Sequence, residues 1–393
     1  MKRFLYTLAL IIFLTTACGP TLRPVATPTL VEPTLPAATP TPLPPIAMQT
    51  LAPTPTPGYP PEGYGPTNFP ADVDPLTGLK VANPTLLERR PLAVKISNLP
   101  RYVRPQWGLS LADIVYEYYT EEGTTRFIAL FYGNDASRVG PIRSARFFDI
   151  NIIRGYKAVF AFGSADVVER NRLLNSDFAN RLVLEGVNSP LTRYDPNGTN
   201  DLVVNTADLS AFITQKGIEN GRQNLDGMSF KLDPPAGDQA VSHIFVRYSA
   251  AIYNRWDYDT AAGKYLRFSD TTEDLNSGQS EQYAQLTDRL TNQPIAFDNV
   301  VVLYVIQEVY STDSKGNKIY DILFSGSGDA YAFRDGQMYQ VKWQRNDTDV
   351  VSLTNPDGTP FAFKPGTTWF EVVGLNSTLS QSDQGWRFTH LMP

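Results

Sequence analysis

The chain has 393 residues, with 34 Lys and Arg against 40 Asp and Glu, and a net charge of −6 at pH 7. An acidic chain without a basic run argues against nucleic acid as a partner. A single cysteine excludes an internal disulfide and a thiolate metal site.

Lys2 and Arg3 open the chain, residues 4–14 are nearly unbroken apolar, and Thr-Thr-Ala-Cys-Gly ends the run at Cys18. This is the charged start, apolar centre and small-residue end of a secretory signal, too short to span a bilayer as a helix. Cys18 follows Ala17, the place where a bacterial lipoprotein signal is cut and the new N-terminal cysteine receives lipid. Thr15 departs from that pattern, in which Leu is commonest at this position. The other reading is an ordinary secretory signal with an incidental cysteine. The expectation is a signal peptide over 1–18, lipidation at Cys18, and an extracytoplasmic protein attached to the cell membrane through that lipid.

Residues 19–70 hold sixteen of the 31 prolines, many threonines, and only Arg23, Glu32 and Glu62 as charges. Such a composition cannot bury a core and predicts a disordered, partly polyproline-II tether over 19–71. At about 3.1 Å per residue it would reach on the order of 100–150 Å.

About 320 residues remain, and no second apolar run among them is long enough to span a membrane. Residues 91–98, 112–119 and 125–132 read as strands, the last two joined by Thr-Glu-Glu-Gly. Residues 142–153 take the helical period, with Phe147, Ile150 and Ile153 on one stripe. A buried strand at 157–163 and short helices near 165–174 and 207–214 follow. Pro234-Pro235-Ala236-Gly237 marks a boundary, beyond which nearly every run reads as strand, punctuated by turn signals such as Asp335-Gly336. Residues 274–290 hint at a helix or insertion. The expected fold is α+β, an N-terminal mixed α/β sheet domain over 72–235 and a mostly antiparallel β-rich domain over 236–393.

The chemistry concentrates at Val-Gly-Pro-Ile-Arg-Ser-Ala-Arg, residues 139–146. Pro141 suits the first position of a helix, which would set Arg143 and Arg146 one turn apart at a positive N-terminus, a geometry for phosphate or carboxylate. A four-residue turn after Tyr119 would pair Tyr119 with Thr124 and put Glu117 opposite Arg126, with Asp113 on the same face. Two readings stay open. Arg126, Arg143 and Arg146 hold an external anion, with Asp113 and Glu117 as orienting carboxylates, or the arginines clamp those carboxylates. No cofactor and no metal is implied. His243 and His390 read as structural, Ser164 lies outside a nucleophile elbow, and Trp256, Trp343 and Trp369 read as packing in preference to a glycan platform.

At these residues the chain resembles a known family, the YerB-like lipoproteins of Gram-positive and related bacteria, whose function is unknown. The matching segments are D-P-L-T-G-L (74–79), R-R-P-L-A-V-K-I-S-N (89–98), R-P-Q-W-G-L-S-L-A-D-I-V-Y-E (104–117), T-R-F-I-A-L-F-Y (125–132) and G-P-I-R-S-A-R (140–146). In the second half they are G-K-Y-L-R (263–267), S-G-S-G-D-A-Y-A-F-R-D-G (325–336) and P-G-T-T-W-F-E-V-V (365–373). The resemblance implies an N-terminal and a C-terminal family domain and an envelope address. Where relatives carry a His-Asn pair this chain has Val204-Asn205-Thr206, so that histidine has no counterpart here.

The preferred expectation is a lipid-anchored, non-enzymatic module that binds an anionic envelope ligand, a phosphate-bearing glycan or lipid head group. One alternative is a metal-dependent phosphoglycosyl transferase analogous to LytR–CpsA–Psr proteins, with Asp113 on a divalent cation. Another is a scaffold whose β-domain docks a wall-synthesis protein.

Overall fold

Three strands, β1 (Leu92–Ser97), β2 (Ile114–Tyr119) and β3 (Thr125–Phe131), are buried along their whole length, as strands covered on both faces must be. They form the middle of a twelve-stranded sheet. The structure, a computed structural model, describes residues 58–236, 239–312, 316, 318–382 and 384–392. The expected signal peptide, Cys18 and the tether up to residue 57 lie outside the described residues.

β3 pairs antiparallel with both β1 and β2, while β4 (Val159–Ala161) and β5 (Leu182–Val183) add in parallel beyond β1. On the far side of β2, the strand Thr368–Gly374 runs parallel to it and to Asn299–Thr312. Gly326–Arg334, Gln337–Arg345 and Ser352–Thr354 continue the sheet antiparallel. Strands from both halves of the chain thus hydrogen bond side by side across the Pro234-Pro235 punctuation. A second, seven-stranded sheet is mostly antiparallel and contains His243–Arg247, Tyr253–Asp259 and Lys264–Asp270. The fold is α+β, mixed in the N-terminal region and mostly antiparallel in the C-terminal one. The Asp335-Gly336 turn closes its hairpin with φ of 53° and 70°, the left-handed pair that a two-residue turn needs.

One face of the large sheet packs with α1 (Phe147–Gly155), through Tyr116, Ile128, Phe148 and Ile152. The other packs against the second sheet and α3 (Thr206–Gln215), through Val115, Phe127, Leu209, Trp256 and Trp369. A shorter helix, α2 (Val167–Leu174), lies beside α1.

Four sequence expectations change. The tether does not run to residue 71, because Tyr64 exchanges backbone hydrogen bonds with Phe230 at 2.9 and 2.8 Å and the Phe69 ring meets the Phe230 ring edge to face. The helix expected from residue 142 begins at Phe147. Residues 140–146 stay extended because their backbone groups are already paired. Ser97 N–H donates to Pro141 O, Arg143 N–H to Lys95 O and Ala145 N–H to Ser164 O. The Asp149 carboxylate then accepts Arg146 N–H at 2.8 Å and sets the helix start. The β2–β3 turn is one residue longer than expected, so Tyr119 faces Thr125 and Glu117 faces Phe127. Residues 274–290 hold the strand Tyr283–Gln285 and no helix among those described.

Candidate anion site

Two of the three arginines of the sequence reading, Arg126 and Arg146, come together on a carboxylate it did not name, and Arg143 lines the cleft beside them. Arg126, on β3, donates to Glu121 Oε1 at 2.5 Å and to Ser144 O at 2.9 Å. Arg146 donates through Nε to Glu121 Oε2 at 2.7 Å and through Nη2 to Glu121 Oε1, and reaches Glu169 on α2 at 3.4 Å. Glu121 belongs to the β2–β3 turn, where Glu122 and Gly123 both take positive φ and redirect the chain toward the arginines. Burial would raise the Glu121 carboxyl, but Arg146 and Arg126 overcome it and hold it down at about 2. Burial, joined by Arg146, pulls Arg126 down to about 10. Glu169, buried and less well paired, is pushed up to about 7.

Beneath the cluster, on the same sheet face, lies a second polar group that the sequence did not suggest. Lys95, Tyr118 and Asp149 are fully buried. The Tyr118 hydroxyl donates to Asp149 Oδ1 at 2.6 Å, and Lys95 donates to Asp149 Oδ1 at 3.1 Å and to the tyrosine oxygen. Burial drives Lys95 down to about 7 despite the nearby carboxylate. This pair compensates its own charge and leaves the arginines above it unrelieved.

Arg143 is different from its neighbours. Its backbone is pinned between Lys95 O and Gly163 N–H, its side chain is half-buried, and its guanidinium makes no hydrogen bond or ion pair among the described residues. It lines two openings at once. One is a cleft of about 440 Å³ with Arg101, Arg126, Glu121, Glu122 and Glu273 on its wall. The other is a polar pocket of about 170 Å³ bounded by Ser144, Gly163, Ser164, Arg193 and Thr199. The Ser144 and Ser164 hydroxyls sit 2.7 Å apart at its edge. Larger clefts of about 630 and 580 Å³ exist elsewhere, but their arginines are already paired, Arg154 and Arg172 in the first, Arg255 and Arg387 in the second.

Asp113 and Glu117 are not part of this cluster, and neither is clamped by Arg143 or Arg146. Asp113 is 1% exposed and accepts Tyr132 N–H at 2.5 Å and Gly133 N–H at 3.1 Å, with burial raising it to about 6. At about 3.3 Å per residue it lies roughly 16 Å along the strands from Arg126. The one-residue change in register sends Glu117 to the opposite face of the sheet. There it meets Arg267 at 2.6 Å, while Arg267 also holds Glu371 at 3.1 Å. Asn98 and Thr125 donate to Glu117, Tyr248 and Trp256 to Glu371. Both carboxylates and the guanidinium are buried, so this group bolts the two sheets together. His243 pairs with Asp257 and His390 stacks on Tyr119, while Trp256 and Trp369 are fully buried.

The fold is that of a two-part α+β protein whose two sheets are joined by a buried charge group. The chain belongs to the family described as Protein of unknown function (DUF3048), its N-terminal domain matching residues 76–219 and its C-terminal domain residues 244–370. It is 28% identical over 305 residues to a Bacillus subtilis (strain 168) protein named "Putative lipoprotein YerB", covering 76% of this chain and 85% of that one. The crystal structure of the YerB protein from Bacillus subtilis is similar to it, with a TM-score of 0.62 at 27% identity over 77% of this chain and 96% of the other.

Proposed function

We propose that the protein is a lipid-anchored, non-enzymatic module that binds a phosphate- or carboxylate-bearing envelope ligand at Arg143. The observation that carries this reading is the unpaired, half-buried guanidinium of Arg143 at the junction of two openings, beside Arg126 and Arg146, which share Glu121. Arg143 faces both openings with no carboxylate partner among the described residues, and an entering anion would supply one through charge-assisted hydrogen bonds. The transferase alternative asks for Asp113 beside the arginines, and the strand separation between them gives it less support.

The test is thermal unfolding with and without pyrophosphate. A ligand at a hundred times its dissociation constant stabilises by about 2.7 kcal/mol. The wild type is expected to melt higher with pyrophosphate, and Arg143→Gln to keep the wild-type melting temperature but lose the response. A wild type indifferent to pyrophosphate defeats the reading.

Anchoring follows from the sequence at Cys18 and from the lipoprotein name carried by the Bacillus relative. Cys18→Ala is expected to move the protein from the membrane fraction to the soluble one after cell breakage. Unchanged partition of that variant would refute lipid attachment there.

A further inference from the structure

The surface beyond Arg143 holds aromatic rings and unpaired arginines that a single small anion would not use. Tyr102 is 68% exposed and Tyr194 40% exposed. Asn200 lies between them, its Nδ2 donating to the Tyr102 hydroxyl at 2.8 Å and its carbonyl accepting from the Tyr194 hydroxyl at 3.1 Å. Two exposed tyrosines tied to one residue are held in place in advance of any ligand, which lowers the entropy lost on binding. Thr199, the neighbour of Asn200, lines the smaller pocket together with Arg143, so this end of the surface adjoins that pocket. At the other end, the Tyr194 ring rests 4.6 Å from that of buried Trp107. The guanidinium groups of Arg289 and Arg138 lie 4.2 and 5.8 Å from the same indole. Both arginines are exposed, and neither forms an ion pair among the described residues.

None of the carboxylates of this surface pairs with Arg143, Arg289 or Arg138 among the described residues. Glu185 and Asp201 pair with Arg193, Asp195 accepts Asn197 N–H within its own loop, and Asp288 accepts the N–H groups of Gly108 and Ser110. What remains is a path of free cations, Arg143 at one end and Arg289 and Arg138 at the other, with two fixed aromatic rings between them.

We propose that the Arg143 site extends along this path into a binding surface for a linear anionic glycan, sugar rings resting on Tyr102 and Tyr194 and anionic groups meeting Arg143, Arg289 and Arg138. This rests on the Arg143 reading and names its ligand class. The alternation decides for a glycan over a lipid head group. A lipid needs an apolar slot for its chains, and the pocket beside Arg143 is only about 170 Å³, with Ile142 and Leu202 its only large apolar residues among serines, threonine, arginines and carboxylates. A sugar polymer presents apolar C–H faces and charges in succession, which amphipathic tyrosine rings and arginines match.

The experiment measures binding of the full chain to phosphorylated dextran, to unmodified dextran and to linear polyphosphate of similar charge. The wild type is expected to bind phosphorylated dextran at least tenfold more tightly than either of the others. Tyr194→Ala and Arg289→Ala should each remove that advantage while leaving the melting response to pyrophosphate intact, and Tyr194→Phe, which keeps the ring, should retain it. Equal affinity for phosphorylated dextran and polyphosphate, or an undiminished preference in Tyr194→Ala, overturns the glycan surface and leaves the small-anion site standing. A wild type that ignores pyrophosphate overturns the Arg143 site and with it this extension.

Discussion

Replacing Arg267 by methionine is expected to destabilise the protein by roughly 3–5 kcal/mol at neutral pH, because it leaves Glu117 and Glu371 buried without a cation. The present arrangement is already short of positive charge, with two carboxyl groups sharing one guanidinium. Burial is the main reason the Glu117 carboxyl is pushed up to about 7, with Arg267 opposing and Glu371 adding to the rise. A carboxyl raised in the folded state contributes stability that is complete below its unfolded value of 4.5 and is lost as pH climbs through about 7. The wild type should therefore give up some stability between pH 4.5 and 7. In Arg267→Met the attraction that limits the shift is gone, so the Glu117 carboxyl rises further and the loss deepens toward pH 8. At pH 5 Glu117 can stay protonated, and the variant should recover part of its deficit. Combining Arg267→Met with Glu117→Gln and Glu371→Gln removes the buried charge altogether and should restore most of the stability. Urea unfolding at pH 5 and pH 8 measures all of this. A single variant that loses less than about 1 kcal/mol at pH 8 would contradict a bolt of buried charge, since breaking such a pair is among the costlier changes.

That bolt shows where reading the sequence stops. The strands β1, β2 and β3 were legible as apolar, β-branched and aromatic runs, and the hairpin at Asp335-Gly336 as a left-handed turn. Their pairing was not. Glu117 and Arg126 looked like cross-strand partners because Thr-Glu-Glu-Gly passes for a four-residue turn. Thr120 N–H instead donates to Thr124 O, enclosing one residue more. A slip of one residue exchanges the faces of a strand, so this small change carried Glu117 from the helix side of the sheet to the side of Arg267. Arg267 and Glu371 lie far from Glu117 in the chain, and only the family resemblance of G-K-Y-L-R and T-W-F-E-V-V singled out their segments. Periodicity could show that these strands are buried but not which of them meet.

The arginine cluster was more legible than its geometry. Three arginines near one Gly-Pro suggested a shared site; Arg126 and Arg146 meet on Glu121, and Arg126 and Arg143 line one cleft. The helix expected to carry two of them starts five residues late, since local propensity at Pro141 yields to hydrogen bonds with Lys95 and Ser97 on β1. Glu121 drew no attention in the sequence, since charged residues in turns usually face solvent. Only the left-handed backbone at Glu122 and Gly123 turns its carboxylate inward.

The choice between clamp and binding site thus divides between two arginines that the sequence could not separate, and their variants should behave differently. Arg146→Gln removes a guanidinium that is 17% exposed and bonded to both oxygens of Glu121. It leaves a partly buried carboxylate with Arg126 alone, and charge-assisted hydrogen bonds of this kind are worth about 1.5–3 kcal/mol. A loss of roughly 2–3 kcal/mol is expected. The Glu121 carboxyl, now at about 2, should move back toward its ordinary range. A depressed carboxyl contributes stability above its unfolded value of 4.5 and loses it as pH falls through the folded one. The stability gap between wild type and Arg146→Gln should therefore be widest at neutral pH and close as the pH drops from 4.5 toward 2. Arg143→Gln breaks no ion pair and relieves repulsion with Arg126, so its stability should stay within about 0.5 kcal/mol of wild type at every pH. Chemical unfolding of both variants across pH 2–7 reads the difference. If Arg143→Gln loses as much stability as Arg146→Gln, Arg143 is structural and the site has no free cation to offer. If neither loses any, Glu121 is not held as a buried carboxylate by Arg146 and Arg126.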